Sequence, residues 1–106
     1  MDQVLEESVN RIVSYIKPEK IILFGSRARG DYNQSSDYDL CIIKDGIENP
    51  RRLAREIYKI LYGVGGAIEV LVEKPENFEK HKDNPFFLYQ NILKEGVLVY
   101  EKPRIS

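Results

Sequence analysis

The chain has 106 residues, 42% of them apolar, which predicts a single globular domain over residues 1–106 and excludes a disordered chain. A net charge of −1 argues against a dedicated nucleic-acid surface, because proteins that bind phosphate backbones usually carry a basic excess. A single cysteine excludes an internal disulfide, and without any apolar run of membrane length the sequence predicts a cytoplasmic protein that does not enter a membrane.

The N-terminal part of the chain predicts a helix and a buried strand. Apolar residues recur at helical spacing from Leu5 to Ile16, Asp2 is a suitable N-cap, and Pro18 stops the helix. The segment Ile21–Phe24 is short, apolar and β-branched, which is typical of a strand inside a sheet.

A polar loop, Ser26–Ser36, leads to a second strand over Asp37–Ile43. Within the loop we expect Ser26 to cap a short helical turn that Gly30 closes. The turn would start directly after the first strand.

The second half of the chain predicts two helices and two strands. Asn49 as N-cap, with Pro50 at the first helical position, begins a helix that ends at the glycines after Tyr62. The remaining elements are a strand at Ile68–Val72, a helix from Asn84-Pro85 through about Glu95 with Gly96 as its C-terminal cap, and a strand at Val97–Tyr100. This order predicts an α/β (α+β) fold with a small mixed sheet of about four strands and helices packed against it.

Asp37 and Asp39 are the first residues to suggest a functional site. Alternate residues of a strand share a face, so both carboxylates point the same way. Two like charges on one face must raise a pKa or hold a cation. Taken alone, an Asp-X-Asp at the start of a strand is more often a solvated strand end, so its surroundings have to decide.

Strand pairing predicts which residues join the two aspartates. If the first two strands pair antiparallel, Gly25 and Ser26 lie beside the start of the second strand. The helix after the second strand allows the third strand to return parallel, which brings Glu69 to the same edge. An acid between apolar neighbours is a costly placement unless it has a partner.

This set of side chains suits nucleotidyl transfer. Carboxylate oxygens are ligands for Mg²⁺, and two such ions about 3.5–4 Å apart would clamp the attacking and leaving oxygens at a phosphorus. Gly25 would let the backbone approach phosphate, Ser26 and the amides after it would hold phosphate oxygens, and Arg27 and Arg29 could neutralise a departing pyrophosphate.

Gly25-Ser26, ten further residues and then Asp37-Tyr38-Asp39 resemble the signature of the DNA polymerase β-like nucleotidyltransferase superfamily. The short length and the order of elements resemble its minimal nucleotidyltransferase branch. The resemblance implies that Asp37 and Asp39 are metal ligands and that Gly25-Ser26 is the phosphate-binding turn. It also implies that Glu69 is the third carboxylate, which binds the catalytic metal or helps to deprotonate the acceptor. The family more often has aspartate there, so Glu69 departs from the pattern by one methylene.

The resemblance also implies a donor and a partner. Similar proteins are commonly antitoxins of a HEPN-domain ribonuclease toxin, and some transfer AMP from ATP onto a tyrosine of that toxin. Two hypotheses follow: an enzyme with ATP as donor, or an antitoxin that neutralises its partner by occlusion with a weak or vestigial nucleotide site. Homo- and hetero-oligomers are both compatible with the sequence.

Other residues have simpler interpretations beside the functional ones. Arg27 and Arg29 are as well explained by a solvated loop as by a bound nucleotide, and Asp31 either orients one of them or is a turn residue. His81 lies in a charged run and is expected to be solvated rather than catalytic. The apolar cluster at 86–89 is read mostly as core, with contact to a partner protein as the alternative.

Overall fold

A four-stranded mixed sheet organises the chain in the computed structural model, which describes residues 1–81 and 88–103, the side chains of residues 88 and 89 excepted. The elements in chain order are α1 (Gln3–Ile16), β1 (Lys20–Phe24), α2 (Ser26–Arg29), β2 (Tyr38–Ile43), α3 (Pro50–Ile60), β3 (Ile68–Glu73), α4 (Pro75–His81), α5 (Leu88–Glu95) and β4 (Val97–Glu101).

The strands lie in the order β3-β2-β1-β4. β1 pairs antiparallel with both β2 and β4, whereas β2 and β3 run parallel, with α3 as the crossover between them. The predicted mixed sheet of four strands is confirmed, and so are the two pairings expected around the aspartates. None of the helices within the described ranges is long and apolar enough to cross a membrane.

Side-chain caps begin the two longest helices, as the sequence predicts. The Asp2 carboxylate accepts a hydrogen bond from the amide of Leu5 (2.8 Å), and the Asn49 side chain accepts one from the amide of Arg52 (3.1 Å). Each cap satisfies an amide that would otherwise have no partner in the first turn. The caps therefore set where α1 and α3 start relative to the sheet.

The two faces of the sheet carry different cores. One face packs against α1 and α3, and its buried residues include Ile12, Ile21, Leu40, Ile42 and Ile57. The opposite face has a smaller buried cluster formed by Cys41, Ile43, Phe78 and Ile92. Because successive side chains of β2 point to opposite faces of the sheet, Asp39 lies on the same face as Cys41, at the end of this smaller core.

Two details of the predicted elements were wrong. Gly25, not Ser26, is the N-cap of α2, and Ser26 is its first residue. Helix α4 was not expected, because its sequence is mostly polar and Phe78 is its only buried residue, so the segment has no apolar stripe. Pro75 suits the first position of such a helix, where no amide donor is needed.

The last predicted helix is described only in part. Its described residues begin at Leu88, so the proposed start at Asn84-Pro85 and the side chains at 86–89 lie outside the described residues. Its end agrees with the sequence, since Glu95 is the last residue of α5 and the Gly96 amide donates to the carbonyl of Ile92 (2.8 Å).

Candidate active site

Strand register brings the turn after β1 and the acids of β2 and β3 to one end of the sheet. Phe24 of β1 pairs with Asp39 of β2, and Asp39 pairs with Glu69 of β3. Gly25 directly follows Phe24, so it lies beside Asp39 as well. Asp37 immediately precedes β2 and is exposed. The antiparallel and parallel pairings thus gather residues that are 44 positions apart in the chain, from 25 to 69.

Gly25 is in a backbone conformation that only glycine adopts readily, with φ 74° and ψ −158°. A Cβ atom built at this position would overlap the Oδ2 atom of Asp39. The carboxylate of Asp39 therefore packs directly against the Gly25 backbone. Any larger residue here would displace the carboxylate or the turn.

Negative charge is concentrated around Asp39. Partial burial raises the pKa of Asp39 above its ordinary value, and the neighbouring charges of Asp37 and Glu69 raise it further, while Arg29 acts in the opposite direction. Asp37 and Glu69 are thus close enough to Asp39 to interact with it electrostatically. Such a cluster disfavours full ionisation until a cation compensates it.

Glu69 has a partner that its sequence position did not reveal. The hydroxyl of Tyr58, on α3, donates to Glu69 Oε2 (3.2 Å) and accepts a hydrogen bond from the amide of Val70 (2.8 Å). Burial is the main cause that raises the pKa of Tyr58, and Glu69 adds to it. Tyr58 lies beside the apolar stripe of α3, and no local pattern connects it with a residue eleven positions later.

Arg29 bridges the loop and α5 close to this cluster. Its guanidinium contacts the carboxylates of Asp31 (3.3 Å) and Glu95 (3.2 Å), and its side chain is 42% exposed. These two carboxylates raise the pKa of Arg29, so it stays a cation. Asp31 therefore orients Arg29, one of the two roles considered for it. Glu95 is a further contact that the sequence did not indicate.

Comparison with known proteins decides the family. The family model described as "Polymerase beta, Nucleotidyltransferase" matches residues 6–105, nearly the whole chain. The chain belongs to the polymerase β nucleotidyltransferase family. The resemblance inferred from Gly25-Ser26 and Asp37-Tyr38-Asp39 is thereby confirmed.

One sequence relative and two solved structures are similar to this nucleotidyltransferase. A protein of Methanocaldococcus jannaschii named "Putative protein adenylyltransferase" is 36% identical over 101 residues, which cover 93% of this chain and 97% of the relative. A crystal structure of a "putative nucleotidyltransferase" from Sulfolobus solfataricus superposes with a TM-score of 0.67 at 24% identity, covering 93% of this chain and 78% of the other. A structure described as "the toxin-antitoxin with AMP-PNP" gives a TM-score of 0.57 at 19% identity, covering 91% and 73%. At these identities the two structures share the fold.

Arg27, expected at the nucleotide, has another set of contacts in this nucleotidyltransferase. Its guanidinium donates to the carbonyls of Ser36 (3.0 Å), Asn33 (3.4 Å) and Gln34 (3.3 Å), and it stacks on the Tyr38 ring at 3.8 Å. Only 9% of its side chain is exposed. Arg27 thus holds the loop before Asp37, and its role at a nucleotide stays a prediction.

The donor atoms at this edge fit a divalent cation only in part. Asp37 and Asp39 supply the hard carboxylate oxygens that Mg²⁺ prefers, and one or two carboxylates are its usual protein share. Across residues 1–81 and 88–103, however, no group of three or more His, Cys, Asp or Glu side chains is arranged to hold a metal. Glu69, the expected third ligand, is instead hydrogen-bonded to Tyr58.

Cys41 has no part in the chemistry of the site. Its thiol is completely buried beneath the site, and burial raises its pKa to about 12. A protonated, buried thiol is a poor nucleophile and a poor metal ligand. The fold therefore keeps this thiol buried and protonated.

Proposed function

We propose that this chain is a Mg²⁺-dependent nucleotidyltransferase that transfers AMP from ATP to a hydroxyl group of a partner protein. The observation that carries the proposal is the register of β1, β2 and β3, which aligns Gly25, Asp39 and Glu69 at one edge. Asp37 adds a second carboxylate at the same edge. Family membership supplies the reaction class.

In this proposal Asp37 and Asp39 would hold the divalent cations. Partial burial and the neighbouring charges of Asp37 and Glu69 together raise the pKa of Asp39, and both effects would be compensated by a bound cation. When bound, Mg²⁺ supplies charge neutralisation at the transferred phosphoryl group. Glu69 would complete the metal site or accept the proton of the attacking hydroxyl.

The chain's own groups position the donor. Gly25 has no side chain of its own, so it would add no bulk between a phosphate and the backbone amides that follow it. Arg29 is a partly exposed cation close to Asp39 and would neutralise the departing pyrophosphate. Arg27 is proposed as a second cation with the same role.

The donor and the acceptor are proposed from relatives. ATP is favoured because one relative is named as an adenylyltransferase and one solved structure carries AMP-PNP. That structure is described as a toxin–antitoxin, which supports a toxin as partner and this chain as antitoxin. The HEPN type of the toxin and its tyrosine hydroxyl as acceptor are proposed from the family resemblance alone.

Transfer is tested with ATP labelled at the α-phosphate, Mg²⁺ and the product of the gene adjacent to this one. We expect label on that protein with the wild-type chain and loss of label with Asp37→Asn or Asp39→Asn. Asp45→Asn is the matched control, because Asp45 is an exposed acid in the turn after β2, at the other end of that strand. Undiminished labelling with Asp39→Asn would reject the proposal.

Binding is measured separately by calorimetric titration of Mg²⁺ and AMP-PNP. The wild-type chain and Asp45→Asn should bind the nucleotide, and Asp37→Asn and Asp39→Asn should bind it more weakly. Absence of binding by the wild-type chain would reject the nucleotide site itself.

The alternative is an antitoxin that acts by occlusion. It is favoured by the hydrogen bond between Glu69 and Tyr58, and because no three acids among the described residues are arranged to hold a metal. Under this alternative, Asp37→Asn would still neutralise the partner in growing cells. Loss of neutralisation with Asp37→Asn, together with loss of labelling, would favour the enzyme.

A further inference from the structure

A phenolic hydroxyl already lies against the candidate third carboxylate. Tyr58 Oη donates a hydrogen bond to Glu69 Oε2 (3.2 Å) and accepts one from the Val70 amide (2.8 Å). This contact is made within the chain, so no other protein is needed to bring a hydroxyl to the site.

The contacts are those of a nucleophile with its base. A hydroxyl becomes a nucleophile when a neighbouring carboxylate removes its proton, and hydrogen-bond reach between the two is the first geometric requirement. The Val70 amide donates to the same oxygen and would stabilise negative charge that develops there. Tyr58 thus has both a proton acceptor and an oxyanion donor in place.

The hydroxyl lies at the same edge as the aspartates. Glu69 pairs in register with Asp39, and the charge of Asp37 also acts on Tyr58. Tyr58 is 42% exposed and Glu69 is exposed, so a nucleotide held at the aspartates can approach the phenol from solvent.

We propose that this chain adenylylates its own Tyr58, an inference that rests on the proposed transferase function. Tyr58 Oη attacks the α-phosphorus of ATP and forms a phosphodiester bond to AMP. The bond between the α-phosphorus and the oxygen that bridges to the β-phosphorus breaks, and pyrophosphate leaves with that electron pair. The hydroxyl proton passes to Glu69. Because the product places AMP at the site itself, modification stops at one nucleotide per chain.

A structural role for Tyr58 is the competing explanation. β3 is an edge strand, and a side chain that accepts from the Val70 amide also protects that edge from pairing with another chain. This explanation predicts no covalent change at Tyr58, so the two are separated by experiment.

The test incubates the purified full chain alone with Mg²⁺ and ATP labelled at the α-phosphate. We expect one AMP per chain, located on Tyr58 by peptide mass analysis, at a fractional rate that does not depend on chain concentration. Tyr58→Phe should abolish the label, and Glu69→Gln, which keeps the phenol and its contact with Val70, should slow labelling about a hundredfold. Tyr62→Phe is the matched control, since that tyrosine is 89% exposed, and it should label like the wild type.

The outcomes separate this inference from the proposed function. Label on another residue, or equal labelling of Tyr58→Phe, overturns the inference. No label on a wild-type chain that binds Mg²⁺ and AMP-PNP also overturns it, while leaving transfer to a partner intact. No nucleotide binding by the wild type rejects both. Transfer from wild type to an Asp39→Asn chain would overturn the intramolecular step.

Discussion

At Gly25, backbone conformation and packing impose the same requirement. The positive φ excludes most side chains, and the carboxylate of Asp39 occupies the space that a Cβ would need. Gly46 has nearly the same φ, 75° against 74°, but nothing lies within 4 Å of a Cβ built there. Gly46 therefore provides a glycine of similar φ that has no contact to lose.

We expect Gly25→Ala to destabilise the fold by more than Gly46→Ala and to abolish nucleotide binding. A strained φ costs about 1–3 kcal/mol in both variants, and only Gly25→Ala also displaces Asp39. Urea unfolding gives the free energies, and calorimetry with Mg²⁺ and AMP-PNP gives binding. Equal effects of the two substitutions on binding would show that the Gly25–Asp39 contact is unimportant.

Asp39 should lower stability at neutral pH when no divalent cation is present. Its pKa is raised in the folded state, so the folded chain binds the Asp39 proton more tightly than the unfolded chain does. The stability that this protonated carboxyl contributes is fully present below the ordinary Asp pKa and is lost as the pH rises through the folded pKa. Asp39→Asn removes the charge, and we expect it to raise the free energy of unfolding at pH 7 by about 1 kcal/mol.

This gain should disappear towards pH 3, where the carboxyl is protonated in both states. Urea unfolding at pH 7 and pH 3 in the presence of EDTA measures it. Asp45→Asn, a change at an exposed position, should stay within about 0.5 kcal/mol of wild type. A loss of stability on Asp39→Asn at pH 7 would contradict the cost assigned to burying this carboxylate beside two other acids.

At the scale of elements, the loop between α2 and β2 depends on one arginine. Arg27 donates to three loop carbonyls and lies between the rings of Tyr32 (4.7 Å) and Tyr38 (3.8 Å). The loop contains only polar residues besides Tyr32, so it has no core of its own. Because Asp37 follows directly, the arginine also sets where that carboxylate lies.

We expect Arg27→Met to destabilise the chain by about 2 kcal/mol and to make the loop sensitive to protease, because three hydrogen bonds from a charged group to loop carbonyls are lost. Unfolding experiments and limited proteolysis measure the two effects. Arg52→Met is the control, since Arg52 is 74% exposed and its contact with Glu56 is 3.9 Å long, and it should change stability by less than about 0.5 kcal/mol. If both variants behaved alike, the loop would not depend on Arg27.

At the scale of the whole molecule, the sheet brings together charges that repel one another. The acids come from two strands, and the apolar cores on both faces hold those strands in register. The cores therefore offset an electrostatic cost at the site, which a bound cation would remove.

Mg²⁺ should reverse the order of stability of wild type and Asp39→Asn. Without divalent ions the variant should melt higher, whereas Mg²⁺ at about a hundredfold excess over its Kd should stabilise the wild type by about 2.7 kcal/mol and the variant much less. Thermal unfolding at constant ionic strength, with NaCl replacing MgCl₂ in the control, measures the shift. A common shift of both proteins would exclude Asp39 as a ligand.

Much of the site followed from the sequence because its determinants are local. Asp39 lies in β2 and Asp37 directly precedes that strand, so short spacing brings both to one end of it, and the helical crossover makes β3 parallel, which predicts Glu69 beside Asp39. Helix caps at Asp2 and Asn49 also act over three residues. By contrast, α4 has a single buried residue, and Ser26 was misassigned as a cap because serine is a preferred N-cap residue, whereas the backbone conformation of Gly25 is visible only in the fold.

From the sequence alone came the family resemblance, the order of the four strands and the acids at their common edge, since periodicity, caps and short spacings are properties of neighbouring residues. Only the tertiary structure decided the contacts of those residues. The way α3 packs on β3 brings Tyr58 to Glu69, and the fold of the loop turns Arg27 towards its carbonyls and leaves Arg29 near Asp39. Such contacts join distant positions through packing geometry, which no local pattern encodes.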